Sequence, residues 1–462
     1  MSNRLLWAIR HMDTCTSFFT DNRERFIEEW REFLRFQSIS TDPAYDAACT
    51  ACAQWTVKHL SGLGFASELI QTATKPLVYA ILSGVPTKPT VLFYGHYDVQ
   101  PVDPLELWET PPFEPTLRAG RMYARGAQDN KGQVFYFLKA IEALRASGVS
   151  LPTIKVLLEG EEECGSAALH AGLRAMGEKL AAQVLMVCDT SMLAPGIPTI
   201  TMGLRGIAHF EVRVHGPHVD LHSGMYGGVV LNPLQALTSI VSALHAADGS
   251  VAVPGFYDGV GEISAEDRSL ANAAPIDVAA MEKAVGVELR GGEDRFSIVE
   301  RRGFRPTVEI NGLGGGYQAA GGKTVIPTHG FAKVSMRLVA GQDPRATLDK
   351  VVAFVKSKAP EGVRVETCDE KVGGPALQVS SQSSVVQKAR QALAQAFDRE
   401  PILVWEGASI PVIPLLSEVS GAEPVLVGFG LDEDRIHAPN ESFSLTQFED
   451  GYRYVTSFLS RL

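Results

Sequence analysis

The sequence predicts an α/β fold, a sheet of short apolar strands with helices on both faces, interrupted by a smaller inserted α/β domain. Three observations carry this expectation. Apolar runs such as LVYAIL (77–82), TVLFYG (90–95), TIKVLL (153–158) and QVLMVCD (183–189) alternate with segments of helical period. Near Gly206 the pattern becomes a strict alternation of apolar and polar residues, as in AHFEVRVHG (208–216) and FAKVSMRLVA (331–340), the mark of half-exposed strands. After the loop KVGGPA the first style returns.

Taken in order, residues 17–37 and 46–63 repeat apolar positions at helical spacing. LVYAIL and TVLFYG read as strands, and KGQVFYFLKAIEALRAS (131–147) as a helix. TIKVLL is a strand, GSAALHAGLRAM a helix and QVLMVCD a strand. The alternating strands, the helices NPLQALTSIVSALHAA and ATLDKVVAFVKSKA, and the strand VRVETC give a small sheet covered on one face over 206–372. Within it, 250–306 is acidic and irregular, a lobe or a long connection. The closing part reads as a helix (SSVVQKARQALAQAF), two strands (PILVWE, PVLVGFG) and a last helix (TQFEDGYRYVTSFLSRL). The simplest organisation is one domain from 1–205 and 373–462, with 206–372 inserted.

With 462 residues, 45% of them hydrophobic, the chain can bury a large core and fill two domains. Lys+Arg is 42 and Asp+Glu 53, a net charge of −11 without a basic tract, which argues against nucleic acid or an anionic membrane as partner. No run reaches the roughly 18 to 20 apolar residues of a membrane span, and MSNRLLWAIRHMD lacks the apolar core and cleavage site of a secretory leader. A soluble cytoplasmic protein is expected. The 6 cysteines are scattered, as in a reducing compartment. The lone CTAC (49–52) sits in a helical run, so its thiols are expected on a helix face rather than as zinc ligands or a redox pair.

Histidines and carboxylates recur where the strands end. TVLFYG leads into His96, Tyr97 and Asp98. YARGAQDNKG carries Asp129. TIKVLL runs into EGEEECGS with Glu159, Glu161, Glu162 and Glu163. QVLMVCD ends on Asp189, and DRIHAPNE carries His437. In open α/β sheets, sites lie outside the carboxyl ends of strands. Each residue alone has a plainer reading: a structural histidine, an N-cap for Asp129 ahead of Lys131, a solvated glutamate face. Together they match the nitrogen and oxygen donor set of Zn²⁺, Mn²⁺ or Co²⁺. Bound cations would also relieve a repulsion that otherwise keeps crowded carboxylates protonated.

GHYDVQP, ARGAQDNKG, GEEECGS, the Asp after QVLMVC, LHSGMYGG, KTVIP with a later MRL, EGASIPV and HAPNE follow one another from about residue 90 to 450. In this order they resemble the dinuclear metallohydrolase superfamily of carnosinase, cytosolic dipeptidase, carboxypeptidase-G, aminoacylase and succinyl-diaminopimelate desuccinylase. LHSGMYGG, KTVIP and EGASIP are most similar to the cytosolic dipeptidase and carnosinase branch. The resemblance implies a mixed-sheet catalytic domain with helices on both faces and an inserted lid and dimerisation domain. It implies a homodimer with two divalent metal ions per subunit, zinc foremost, with manganese or cobalt as alternatives. By motif, His96 and Asp189 would bind one metal, Glu163 and His437 the other, and Asp129 would bridge them, with the Asp129–Asn130 peptide cis. Asp98 would accept the second imidazole N–H of His96. Glu162, directly before the liganding glutamate in a Glu-Glu-x-Gly-Ser frame, would be the general base, taking the proton of a water held between the cations. His222 would reach the active site of the dimer mate, contacting substrate and stabilising the oxyanion. Arg337 would clamp the C-terminal carboxylate of a small peptide substrate, with Thr324, Gly407 and Ser409 also touching substrate. Glu159 and Glu161 receive no catalytic role and are expected to support the ligands or face solvent. His209, His215, His218 and His329 fit no motif and are expected to be structural.

The Gly-rich GLGGGYQAAGGKT is not a phosphate loop, because Tyr317 stands where that motif needs glycine and Pro327 argues against an ensuing helix. No Gly-x-Ser-x-Gly elbow precedes a helix. A non-catalytic metal-binding protein on this scaffold would be expected to have lost Glu162 or a ligand, and none is missing. The expected activity is hydrolysis of dipeptides or short peptides with a free C-terminal carboxylate. N-acyl-amino-acid deacylase and carboxypeptidase activity remain alternatives.

Overall fold

The computed structural model describes residues 3–462, with side chains from residue 14 onward. Met1 and Ser2, which open the stretch read for a leader, lie outside the described residues. The chain forms two compact units. The first runs through Met202 and takes in Val379–Leu403 and Leu415–Leu462; the second is Gly203–Gln378 with Val404–Pro414.

In the first unit the strands lie in the order Ala66–Ile70, Leu77–Leu82, Ile154–Glu159, Val91–His96, Val184–Val187, Glu423–Leu426, Thr199–Leu204. The sheet is mixed. Ile154–Glu159, Val91–His96, Val184–Val187 and Glu423–Leu426 are mutually parallel, and the pairs at the Ala66 edge are antiparallel. The central strands are buried nearly end to end, which is why they read as continuous apolar runs. Helix Lys131–Ala146 is buried along most of its length and packs against Asn3–Leu34 and Leu445–Arg461. Phe137 on that helix stacks on Phe93 of the sheet, ring centroids 3.6 Å apart. Cys49 and Cys52 lie buried on helix Asp46–Gly62, and all six thiols are unpaired.

The second unit holds a four-stranded antiparallel sheet in the order Thr307–Gly315, His329–Leu338, Gly206–His215, Arg364–Val372. Alternate residues Phe210, Val212, Val214, Val334, Met336 and Leu338 join one hydrophobic cluster with helices Pro233–Ser242 and Pro344–Ser357. Arg337, between Met336 and Leu338, therefore belongs to the opposite face. The tail Val404–Pro414 belongs here because Trp405 packs on Phe304, centroids 4.8 Å apart, and the Arg205 N–H donates to the Ala408 carbonyl at 3.0 Å.

Several elements lack the periodicity that would announce them. Ala66–Ile70 is a half-exposed edge strand. Thr307–Gly315 carries three glycines and a register shift between Ile310 and Gly312. The stretch 250–306, read as irregular, contains the short helices Ala265–Asn272, Val278–Val285 and Ile298–Phe304. Their side-chain N-caps are Ser264, Asp277 and Ser297, the last a full capping box with Glu300.

Candidate metal centre

The parallel strands deliver their carboxyl ends to one place. Val91–His96 ends on His96, Ile154–Glu159 runs into the glutamate cluster, and Val184–Val187 leads to Asp189. His96 is fully buried, its Nε2 3.1 Å from Asp129 Oδ1 and 3.7 Å from Asp189 Oδ2. The other oxygen of Asp129, Oδ2, lies 3.0 Å from His437 Nε2, which is 3.2 Å from Glu163 Oε2. Two triads result, His96–Asp129–Asp189 and Asp129–Glu163–His437, each with donor atoms within 4.8 Å of one another and with Asp129 common to both. All five residues expected as ligands are thus brought together. The Asp129–Asn130 peptide is cis. His437 adopts a left-handed backbone (φ 60°), a conformation that non-glycine residues keep chiefly where function or packing demands it.

Neighbouring side chains fix these groups. Asn130 Nδ2 donates to Asp189 Oδ1 at 2.8 Å, leaving Oδ2 for the site. Gln100 Nε2 donates to Glu163 Oε2 at 2.7 Å. Asp98 does more than the sequence suggested. His96 Nδ1 faces both its main-chain carbonyl at 3.2 Å and its carboxylate at 3.3 Å. That carboxylate also accepts the amide N–H groups of Glu162 (3.3 Å) and Glu163 (3.1 Å), tying the glutamate loop to the histidine strand.

Glu162 belongs to neither triad. Burial, reinforced by Asp189, Asp129 and Glu163 and opposed by His96, pushes its carboxyl well above the usual range. Burial likewise lifts Asp189 to about 7. His437 is raised to about 10 by its hydrogen bonds to Asp129 and Glu163. Asp129, although burial acts against it, is held below the carboxylate range by His437 and His96. Among the described residues no lysine or arginine pairs with Asp129, Glu162, Glu163 or Asp189; their only cationic partners are the two imidazoles. A crowd of buried carboxylates with nitrogen donors and no side-chain cation suits divalent metal ions.

Two plainer readings do not survive. Asp129 caps no helix: Asn130 holds the N-cap position of Lys131–Ala146, without a side-chain cap bond. The glutamate run is not a solvated face. Glu159 is buried, accepts from Tyr94 Oη (2.6 Å) and Ser166 Oγ (2.9 Å), and is lifted by burial to about 7. Glu161 is also buried and accepts the Ala168 N–H at 3.0 Å.

Glu441, last residue of HAPNE, went unassigned from sequence. Fully buried, it accepts the amides of Gly126 (2.9 Å), Gln128 (3.0 Å) and Asp129 (3.1 Å), and pairs with Arg125 at 2.7 Å. It binds the Asp129 loop to the His437 loop. Its motif position was the only sequence signal.

The expected substrate residues form two groups within the second unit. Arg337 Nη1 donates to Ser409 Oγ at 3.1 Å, beside Gly407. His222 pairs with Val325 across a two-stranded ribbon, and the Ser223 N–H donates to the Thr324 carbonyl at 3.1 Å. His222 is exposed, and its Nδ1 accepts the Gly224 N–H at 3.0 Å.

Known proteins support the same conclusion. The chain is 28% identical to the Cys-Gly metallodipeptidase dug1 of Schizosaccharomyces pombe, over 98% of each chain. It is 30% identical to the human Beta-Ala-His dipeptidase, over 83% of this chain and 76% of that one. Human carnosine dipeptidase 1 superposes with a TM-score of 0.80 at 26% identity, covering 97% of this chain and 98% of the other. The M20 family metallo-carboxypeptidase Sso-CP2 from Sulfolobus solfataricus does so at 0.82 and 31%, covering 94% and 98%. The family model of peptidases M20/M25/M40 matches residues 92–461, and with the relatives just named it makes this chain a metallopeptidase of the M20/M25/M40 family, on its dipeptidase and carnosinase side.

Proposed function

We propose that this enzyme is a dinuclear metallodipeptidase that hydrolyses dipeptides or short peptides ending in a free carboxylate, working as a homodimer in the cytoplasm. The observation that carries the reading is the pair of triads sharing Asp129, with Glu162 beside both and part of neither. Relatives of similar length are named as Cys-Gly and Beta-Ala-His dipeptidases, which supports dipeptides over N-acyl amino acids or longer chains.

His96 and Asp189 would hold one metal ion, Glu163 and His437 the other, and Asp129 both; zinc is the expected pair, with manganese or cobalt as substitutes. Bound there, divalent ions supply polarisation of the scissile carbonyl and a lowered pKa for water. Glu162 takes the proton of the attacking water and passes it to the leaving amine nitrogen. Asp98 keeps Glu162 and Glu163 in register through their amides. Arg337 holds the substrate carboxylate, with Thr324, Gly407 and Ser409 lining the same peptide. His222 of the partner subunit supports the developing oxyanion; its exposure leaves the ring available to another chain. The second unit then serves as lid and dimerisation domain.

A panel of dipeptides, N-acyl amino acids and longer peptides, assayed after loading with Zn²⁺, Mn²⁺ or Co²⁺, tests the proposal. Dipeptides should be turned over fastest; preference for N-acyl amino acids or for trimming longer peptides would replace it with the deacylase or carboxypeptidase reading.

A further inference from the structure

Arg205 lies between strands Thr199–Leu204 and Gly206–His215, and no motif had singled it out. Its Nε donates to the Gly407 carbonyl at 3.0 Å, and its main-chain N–H donates to the Ala408 carbonyl at 3.0 Å. Arg337 Nη1 donates to Ser409 Oγ at 3.1 Å. Two guanidinium groups are therefore fastened to the two ends of one three-residue segment. Gly407 leaves room for Arg205: a Cβ there would lie 2.9 Å from Arg205 Nη2 and 3.1 Å from the side chain of Arg302.

These cations lack a counter-charge. Among the described residues neither Arg205 nor Arg337 has a carboxylate at ion-pair distance, whereas nearby Arg302 has Glu406 at 3.6 Å. Glu309 attracts Arg205 only from farther away, and it is exposed. Both arginines are half-buried. Burial, with the Arg337 charge next, brings Arg205 down to about 10, and burial lowers Arg337. Holding two like charges together partly out of water is unfavourable unless an anion joins them. Each guanidinium has spent one nitrogen, leaving Arg205 Nη1 and Nη2 and Arg337 Nε and Nη2 uncommitted. A carboxylate accepts about four hydrogen bonds on its two oxygens, and the N–H groups on these nitrogens are more than enough to supply them.

We propose that Arg205 and Arg337 together form a two-arginine seat for one carboxylate of the substrate, with Arg205 as a specificity-determining residue. The inference rests on the reading above that the substrate ends in a free carboxylate. A merely structural Arg205 would only brace segment 407–409, and the glutamine variant separates the two roles. Arg205→Gln keeps an N–H for the Gly407 carbonyl and removes the charge.

The test is calorimetric binding of alanyl-alanine and of alanyl-alanine amide to the zinc-loaded full-length protein in a Glu162→Gln background, so that turnover is not required. The background should bind the free acid more tightly than the amide. Adding Arg205→Gln should weaken the acid roughly tenfold to a hundredfold, as expected for loss of charge-assisted hydrogen bonds, and change the amide by less than about twofold. Arg205→Lys should recover part of the loss. Equal weakening of acid and amide, or none, overturns the assignment. If Arg337→Gln abolishes the acid preference while Arg205→Gln leaves it intact, the single-arginine clamp stands and the two-arginine seat falls. If the background itself does not distinguish acid from amide, the free-carboxylate reading falls first and takes the seat with it.

Discussion

Glu162 and Glu163 are adjacent in sequence but lie in different surroundings, which supports the different tasks proposed for them. Glu163 Oε2 meets His437 and Gln100, whereas Glu162 contributes no donor atom to either triad. Glu162→Gln should therefore keep both metal ions by elemental analysis while dipeptide turnover falls about a hundredfold to ten-thousandfold, the usual worth of a general base. Wild-type turnover in that variant would remove the assignment. His437 gives a second prediction. In the metal-free protein its imidazole is raised to about 10, above an unfolded value of about 6.5. Its contribution to stability is then fully present below about 6.5 and is lost as pH rises through about 10. At pH 7.5 it carries a proton that the proposed metal ligation would displace. Zinc titrated into the metal-free protein at that pH should release protons, measured by calorimetry in buffers of different ionisation heat, and His437→Ala should release fewer. Proton release unchanged by that substitution would contradict the picture. These histidines and carboxylates were legible in sequence because ligand types recur at strand ends. Arg205 was not: it is a single arginine whose partners at 407–409 lie about two hundred residues away along the chain.

The loops that carry the proposed ligands are tied together by one buried carboxylate, which forms an ion pair and accepts main-chain amides. Glu441 accepts three amides of 126–129 and pairs with Arg125, whose Nη2 donates to the Pro101 carbonyl at 2.9 Å and whose guanidinium lies over Trp108, 5.4 Å from its centroid. Glu441→Gln should lower zinc affinity about tenfold to a hundredfold, the typical cost of losing a residue that orients a metal ligand. Its far-UV circular dichroism should stay unchanged. Glu441→Ala strands the Arg125 charge and should lower unfolding stability by about 3 to 5 kcal/mol in urea titrations. Parent-like metal affinity in Glu441→Gln would show that the Asp129 loop holds its shape without this anchor. The same contrast explains which elements could be read. Val91–His96 and Ile154–Glu159 are buried apolar runs and announce themselves. Thr307–Gly315 is diluted by glycine, and Ala265–Asn272 has too few apolar residues for a helical period, although its Ser264 cap is visible in sequence.

The two compact units divide the expected chemistry between them: metal-type donors in the first, and Arg337, Ser409, Thr324 and His222 in the second. No described helix is long and apolar enough to cross a membrane. His222 is the residue whose expected role depends most on assembly, because its ring stands exposed. If His222 of the partner subunit completes each active site, two inactive variants should repair one another. Glu162→Ala homodimers lack the base in both sites, and His222→Ala homodimers lack the imidazole in both. In a hybrid dimer, the site that keeps Glu162 receives an intact His222 from the other chain. Free exchange of equal amounts makes half of the dimers hybrid, each with one complete site of two, so about a quarter of wild-type activity should return. Sedimentation would first establish the dimer, and tagged subunits would report the exchange. Exchange without recovered activity would mean that each site is built within a single chain, and the exposed position of His222 would then need another explanation.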